Sequence, residues 1–175
     1  MRALLLILFG FALCNSFAQD SILLKKIDSL TRIGYDKADT VLYYLTKKDL
    51  LSTGAGTEIY LYKYKESVQR IICFSHPQNK NVAIEFYPYR DTLLFAYVSE
   101  EYVEEKSPAW AVKNFKNISS SEARFYFWNY QLIHWSAAGY PRSFAASKHA
   151  SALLKKFKEI MRWTRQTGVL RAGHL

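Results

Sequence analysis

Cysteine is scarce in this chain of 175 residues, which contains only Cys14 and Cys73. Cys14 lies in a segment that we expect to be removed, and its removal leaves one thiol in the mature protein. A single cysteine cannot form an internal disulfide, so the stability of the fold must come from its hydrophobic core. Cys73 occurs in the apolar, strand-like run RIICF, which predicts a buried, inert thiol rather than a nucleophile.

Signatures of common catalytic and metal sites are also missing. The sequence contains no G-x-S-x-G, no H-E-x-x-H, no paired C-x-x-C and no phosphate-binding glycine loop. The four histidines are scattered, without the i, i+4 spacing or the nearby cysteine that would indicate a metal site. Four glutamates between residues 100 and 105 are typical of a solvated charged loop. From the sequence we therefore assign no catalytic residue, no metal ligand and no cofactor.

Long hydrophobic runs are absent except at the N-terminus. Arg2 is followed by the apolar run from Ala3 to Leu13, and Ser16-Phe17-Ala18 supplies small residues at both recognition positions of a cleavage site. This pattern is typical of a secretory signal peptide, and the run is too short for a stable membrane anchor. No later run is long enough to predict a transmembrane helix.

These observations predict the domain organisation and the location of the protein. We expect a signal peptide over residues 1–18 and a single domain over residues 19–175, in the periplasm or outside the cell. In Phe11-Ala12-Leu13 the small residue that is usually required just before a lipidated cysteine is missing, which argues against a lipid anchor at Cys14.

Negative charge is nearly absent from the last fifth of the chain. Residues 141–175 contain eight Lys and Arg residues and a single acidic residue, Glu159, and they account for most of the net charge of +9. Because the excess charge lies in one segment of an exported chain, we do not expect nucleic acid as a partner. The apolar residues of this segment recur at helical spacing from Ala150 to Met161, which predicts a basic amphipathic helix.

The middle of the chain is rich in alternating apolar and aromatic residues. The stretches TEIYLYKYKESVQRIICF, NVAIEFYPYRDTLLFAYV and EARFYFWNYQLIHW each consist of an alternating run, a short polar turn and a second alternating run. This layout predicts three hairpins, or an antiparallel meander of about six strands. Helical segments precede it, although residues 40–47 suit either a helix or a strand. The function of residues 99–120, between the last two hairpins, stays open. The fold class is therefore α+β, with the C-terminal helix packed on one face of the sheet.

Alternation along each strand divides these residues between two faces of the sheet. The first face is mainly aliphatic and is the predicted core face: Ile59, Leu61, Ile71, Cys73, Ile84, Phe86, Leu94, Ala96, Val98, Tyr126, Ile133 and Trp135. The second face is aromatic and also carries charge: Tyr60, Tyr62, Val68, Arg70, Ile72, Glu85, Tyr87, Leu93, Phe95, Tyr97, Phe125, Phe127, Leu132 and His134.

The hairpin sequences FYFWNYQLIHW and EFYPYRDTLLFAYV resemble those of small uncharacterised secreted bacterial proteins, whose hairpins read aromatic-x-aromatic, turn, Leu-Ile. They also resemble bacterial repeats in which Tyr-Tyr pairs alternate with Asn-Gly turns. The resemblance covers about residues 57–135. It implies secretion and a β-rich fold, and it brings no catalytic residues with it.

Two classes of function follow from these patterns. The first is an exported, non-enzymatic binding or interaction module whose aromatic face recognises a cell-envelope glycan, a peptide or a protein. The predicted binding residues are Tyr60, Tyr62, Arg70, Tyr87, Tyr97 and His134. The second class has two forms. One is a hydrolase-like envelope enzyme with Glu85, Arg70 and His134 around one cavity, and the other is a protein that binds anionic surfaces through its basic helix.

Overall fold

The computed structural model describes residues 21–32, 38–51, 53–65, 67–77, 80–102, 119–141 and 143–166. The predicted signal peptide and most of the segment 99–120 lie outside the described residues. Helix α1 covers residues 21–32, and helix α2 covers Ala146–Gln166. Seven strands lie between them: β1 (Thr40–Thr46), β2 (Thr57–Tyr64), β3 (Ser67–Ser75), β4 (Lys80–Tyr89), β5 (Thr92–Tyr102), β6 (Ser119–Trp128) and β7 (Gln131–Ala138).

The strands form one antiparallel sheet in the order β1-β2-β3-β4-β5-β6-β7, so each strand pairs with its neighbours in the chain. This arrangement confirms the predicted α+β fold with an antiparallel meander. Residues 40–46, which suited either a helix or a strand, form the edge strand β1 and bring the total to seven. The β-branched and tyrosine content of this segment favours a strand, and its pairing with β2 shows that it is a strand and not a helix.

The β4–β5 and β6–β7 hairpins each turn within two residues. Arg90 and Asp91 have φ angles of 49° and 63°, and Asn129 and Tyr130 have φ angles of 48° and 63°. Positive φ at both central residues defines a type I′ turn, whose twist matches that of the flanking strands. A bulge follows each turn and adds one residue to the returning strand. The repeated sequence layout therefore corresponds to a repeated backbone geometry.

The core lies on the side of the sheet against which α2 packs, and we call this side the helix-facing side. Ile59, Ile71 and Phe86 project from it and are fully buried. The apolar stripe of α2 covers them, with the Phe157 ring 5.8 Å from the Phe86 ring between centroids. The prediction that the C-terminal helix packs on the aliphatic face is confirmed.

The predicted assignment of residues to faces was wrong at the hairpin turns. The bulges occur at Gln69, Leu94 and Ile133, and each one reverses the alternation of the strand that follows the turn. Three residues predicted on the aromatic face therefore pair with residues of the helix-facing side: Val68 with Lys63, Leu93 with Pro88 and Leu132 with Phe127.

The assignment of β6 was also wrong. Ala96 of β5 pairs with Phe125, and Phe95 pairs with Tyr126. This register places Phe125 and Phe127 in the core, where both are almost completely buried, and places Tyr126 on the opposite side. The pairing register between neighbouring strands decides which face of the sheet each residue occupies. The alternation of residues along one strand does not specify that register.

The opposite side, which carries Tyr62, Arg70, Tyr87 and Tyr126, is called the tyrosine face below. Helix α1 packs on part of it: Ile27 is fully buried, and the Lys26 ammonium lies 5.3 Å from the centroid of the Trp128 ring. The sheet is therefore covered by a helix on each side. Neither helix, over its described residues, has the length and apolar character needed to cross a membrane.

The contact between α2 and the sheet predicts a large effect of Phe157→Ala. The ring is 1% exposed, and its removal leaves a cavity that the neighbouring side chains cannot fill. We expect a loss of about 3–5 kcal/mol in the free energy of unfolding, measured by denaturant titration. Lys158→Ala, at the exposed neighbouring position, serves as the control and should change stability much less. Equal effects of the two substitutions would contradict the docking of α2.

The left-handed turn at Tyr130 predicts that Tyr130→Gly stabilises the protein. Glycine adopts the positive φ without the strain that an L side chain incurs, and this gain exceeds the loss of an exposed contact with Lys158. The expected net gain is about 0.5–1 kcal/mol in the free energy of unfolding. Gln131→Gly, one residue further along in β7, should instead destabilise the protein. Destabilisation by both substitutions would argue against the turn.

Candidate functional site

The six residues predicted to bind a ligand all lie on the tyrosine face. The pairing of neighbouring strands shows this, since Tyr62 pairs with Arg70, Glu85 with Tyr97 and Tyr126 with His134. His134 is exposed, and the other five are half-buried. The prediction therefore selected residues of one surface, and their role in binding stays a prediction.

Arg70 is the centre of a compact cluster on this face. Its guanidinium lies 5.4 Å from the ring centroids of both Tyr62 and Tyr87. Its Nη2 donates a hydrogen bond of 2.6 Å to Glu85 Oε2, and the Tyr87 hydroxyl donates to the same oxygen at 2.6 Å. The cluster thus holds a hydrogen-bonded ion pair between two aromatic rings, and Glu85 neutralises much of the charge that Arg70 would offer to a ligand.

The other predicted residues lie apart from this cluster. Tyr60 contacts Tyr43 of β1, with ring centroids 4.9 Å apart, and the Tyr97 ring lies 5.5 Å from the Arg124 guanidinium. His134 lies on β7 and contacts Tyr126 of β6. It is three strand spacings, or about 14 Å, from Glu85 on β4. The trio Glu85, Arg70 and His134, proposed for a hydrolase-like enzyme, is therefore not brought together around one cavity.

The basic helix α2 uses its apolar stripe to cover the sheet. Ala150, Leu153 and Phe157 are each less than 5% exposed, and Trp163 packs edge-on against Tyr44 with ring centroids 5.9 Å apart. In this fold the stripe is therefore not available to a membrane surface. One of its basic residues is also paired internally, because Arg165 contacts Asp91 at 2.9 Å.

A pocket of about 440 Å³ opens between the first half of α2 and the helix-facing side of the sheet. Its floor comes from β4, β5 and β6, and its walls come from α2, from the loop after β1 and from the segment after β7. The main apolar lining residues are Leu51, Val82, Ile84, Val98, Ala123, Phe125, Tyr140, Phe144, Ala152 and Leu153. We call it the helix–sheet pocket.

The chain after β7 builds an aromatic wall at one end of this pocket. Gly139 has a φ of 76°, and a Cβ there would lie 2.3 Å from the Ser120 carbonyl oxygen, so only glycine fits the turn. The turn brings Tyr140 and Phe144 together with ring centroids 4.6 Å apart, and His149 stacks on Phe144 at 4.3 Å. This wall offers flat surfaces suited to a planar ligand.

Polar groups from three elements converge on the same pocket. Lys80 of β4 and Glu100 of β5, which are diagonal neighbours on adjacent strands, form an ion pair with an Nζ–Oε2 distance of 2.7 Å. Burial opposes the charge of Lys80, but the hydrogen bonds and charges of Glu100 and Tyr102 together outweigh burial and raise the pKa of Lys80. Burial, reinforced by the charge of Glu100, also raises the pKa of Tyr140, so that its hydroxyl stays protonated and can donate.

Lys156 contributes a half-buried ammonium group to the pocket wall. Its Nζ donates a hydrogen bond of 3.3 Å to the Leu50 carbonyl oxygen, in the loop that joins β1 to β2. Desolvation lowers the pKa of Lys156, although the charges of Asp49 and Glu159 act in the opposite direction. The folded protein therefore carries a positive charge next to an apolar pocket, where water solvates it incompletely.

The loop that Lys156 contacts is itself well ordered by side chains. The Asp49 carboxylate accepts hydrogen bonds from the backbone N–H groups of Thr53 and Gly54, at 2.8 and 2.7 Å. Leu50 and Leu51 are buried, which holds the loop on the core. One wall of the helix–sheet pocket is thus held in place by a capped turn.

Sequence reasoning did not identify this pocket. Its residues come from β4, β5, β6, α2 and three connecting segments, and no local motif links them. The lysine at position 156 was recognised only as part of a basic helix. One signal was present: Lys156 follows Leu153 by three residues, so it borders the apolar stripe rather than lying opposite it.

Cys73 lies beneath this region and is fully buried, as predicted. Burial raises the pKa of its thiol, which disfavours the thiolate needed for reaction. No group of three His, Cys, Asp or Glu side chains suited to a metal ion occurs within the part of the chain that the structure describes.

Comparisons of this chain with protein-family models, with curated proteins and with solved structures found no match. Arguments about its function therefore depend on the geometry of its own residues.

The environment of Lys156 predicts a pH-dependent effect of Lys156→Met. With its pKa lowered in the folded state, the protonated lysine reduces stability at neutral pH, and this cost disappears as pH rises towards 10.5, where the unfolded chain also loses the proton. The variant should therefore be more stable than the parent at pH 7, with a difference that shrinks above pH 10. Denaturant titrations at both pH values measure it.

The control for this prediction is Lys155→Met. Lys155 is exposed and does not line the helix–sheet pocket. Its substitution should change stability little at either pH. A destabilised Lys156→Met at pH 7 would show that Lys156 has a structural role that outweighs its desolvation.

Proposed function

We propose that this protein is an exported, non-enzymatic binding module and that the helix–sheet pocket holds its ligand. The ligand class that fits the pocket is a small organic anion with a flat, apolar body. The observation that carries this proposal is the half-buried Lys156 ammonium in the wall of an apolar pocket.

The position of Lys156 supports a role in binding. A lysine with a lowered pKa costs stability, and a packed apolar residue at the same place would not incur that cost. A ligand carboxylate, sulfonate or phosphate next to Nζ would offset the cost, because an opposite charge favours the protonated form. Groups that reduce stability are common at binding sites, since they are retained for function.

The remaining lining supports the apolar part of the proposed ligand. A volume of 440 Å³ lies within the range of small-molecule sites, which are mostly apolar with a few placed polar groups. Ile84 and Phe125 provide the apolar floor, Leu153 lies in the wall formed by α2, and the Phe144–His149 stack provides a flat wall. The Tyr140 hydroxyl and the Lys80–Glu100 pair supply the polar contacts that would orient the ligand.

The tyrosine face is the weaker place for a small ligand. Its central cation, Arg70, is already bonded to Glu85, and α1 packs on part of the face. Its half-buried tyrosines remain a predicted surface for a glycan, a peptide or a protein. Export to the periplasm or to the exterior is supported by the signal-peptide pattern of residues 1–18, which would bring the pocket into contact with small molecules of the cell envelope.

Two fluorescent probes test the proposal because they share one aromatic skeleton. 1-Anilinonaphthalene-8-sulfonate carries an anionic group, and N-phenyl-1-naphthylamine lacks it. We expect the sulfonate to bind more tightly at neutral pH, with the naphthalene in the apolar part and the sulfonate near Lys156. Lys156→Met should weaken binding of the sulfonate about tenfold and leave the uncharged probe unaffected, because a single charge-assisted contact is lost.

A steric variant locates the probe. Ala152 lines the pocket, and Ala152→Trp should fill it and abolish binding of both probes. Ser151→Trp is the matched control, because Ser151 is exposed on the same turn of α2 outside the lining, and it should leave binding unchanged. If the two tryptophan variants behave alike, or if Lys156→Met weakens both probes equally, the pocket is not the binding site.

A further inference from the structure

The edge strand β1 is unusual because it combines a free edge with exposed apolar side chains. Its outer edge has no neighbouring strand among the described residues, since the sheet begins with β1 and β1 pairs only with β2. Val41, Tyr43 and Leu45 are 53%, 52% and 71% exposed. These three side chains lie in a row on the tyrosine face, next to the free edge.

Proteins usually protect such an edge from pairing with another strand. The usual devices are a charged residue, a proline or a bulge in the edge strand. The strand Thr40–Thr46 reads TVLYYLT, which contains no charge and no proline, and it pairs with β2 without a register shift. The opposite edge strand, β7, does contain a bulge, and its last half carries small side chains. Of the two edges, β1 is therefore the one suited to pairing.

We propose that two copies of this chain associate through antiparallel pairing of their β1 strands, with a two-fold axis at Tyr43. The sheets of the two copies then form one continuous sheet of fourteen strands, twice the seven of a single copy. This inference does not depend on the helix–sheet pocket, whose floor comes from β4, β5 and β6 and to which no residue of β1 contributes.

Self-complementarity of the strand selects a second copy as the partner. With the axis at Tyr43, Thr40 faces Thr46, Val41 faces Leu45 and Leu42 faces Tyr44 of the other copy. These are pairs of β-branched, aliphatic and aromatic residues, which stabilise antiparallel strands. A continuous sheet requires paired residues to lie on the same face, so the axis must pass through a residue rather than between two.

Charge complementarity selects the axis at Tyr43 over its neighbours. In this register Asp39 of each copy faces Lys47 of the other, which places two opposite-charge pairs at the ends of the interface. Asp39 is held in place by the backbone N–H of Lys65, which donates to its carboxylate at 3.0 Å and lowers its pKa, and Lys47 is exposed. An axis at Leu42 would put Asp39 opposite Leu45, and an axis at Tyr44 would put Lys47 opposite Val41, so both lose this match.

Sedimentation velocity of the purified protein over a wide concentration range tests the association. We expect a concentration-dependent shift from monomer to dimer. Tyr43→Lys should weaken the dimer by more than about tenfold, because it places two ammonium groups together at the axis. Trp135→Lys is the matched control on the other edge strand, where a similarly exposed aromatic residue is replaced, and it should leave the dimer unchanged.

Cysteine cross-linking tests the register. In the proposed register, position 43 of one copy lies opposite position 43 of the other. The single variant Tyr43→Cys should therefore form a disulfide-linked dimer under mild oxidation. Leu45→Cys alone should not, because Leu45 faces Val41, whereas a mixture of Leu45→Cys and Val41→Cys proteins should cross-link. The parent protein, whose Cys73 is buried, is the blank.

Three results would overturn the proposal. One is a protein that remains monomeric at every concentration. Another is a dimer that Tyr43→Lys and Trp135→Lys weaken equally, which would place the interface elsewhere. The third is cross-linking of Leu45→Cys as efficient as that of Tyr43→Cys, which would indicate random collision or a different register. Circular dichroism of each variant checks that it is folded before these comparisons are made.

Discussion

The contact between α2 and the helix-facing side of the sheet is the interaction on which the rest of the structure depends. An antiparallel meander with one apolar side cannot remain open to water, and the stripe that includes Leu153, Phe157 and Ile160 supplies the cover. The same contact determines which residues of the basic helix face solvent. It also creates the helix–sheet pocket, because the first half of α2 and the sheet do not close completely at one end.

The two helices give the two sides of the sheet different roles. On the helix-facing side, charged groups meet an apolar wall around Lys156 and the Lys80–Glu100 pair. On the tyrosine face, polar and aromatic groups bind each other, as in the Arg70–Glu85–Tyr87 cluster. Glu85 already neutralises much of the charge of Arg70, and burial lowers the pKa of Lys156.

Local geometry explains why the prediction of strands succeeded and the prediction of faces did not. The alternation of apolar residues and the short turns both depend on residues that are neighbours in the chain. The three hairpins could therefore be predicted from the sequence. The bulges at Gln69, Leu94 and Ile133 involve two strands at once, and each reverses a face. The prediction therefore placed Tyr62 and Arg70 on the right surface but placed Val68, Leu93 and Leu132, which directly follow the turns, on the wrong one.

The sequence by itself determined the α+β class, the meander, the amphipathic C-terminal helix and the buried Cys73, because each depends on periodicity or on apolar runs within a short segment. The edge strand β1 was ambiguous in sequence, because its residues suit two structures and only pairing with β2 selects one. Only the tertiary structure brought Lys80, Glu100, Tyr140 and Lys156 into one pocket. These residues are separated by up to 76 positions in the chain, and their proximity depends on how α2 crosses the sheet, which no local pattern specifies.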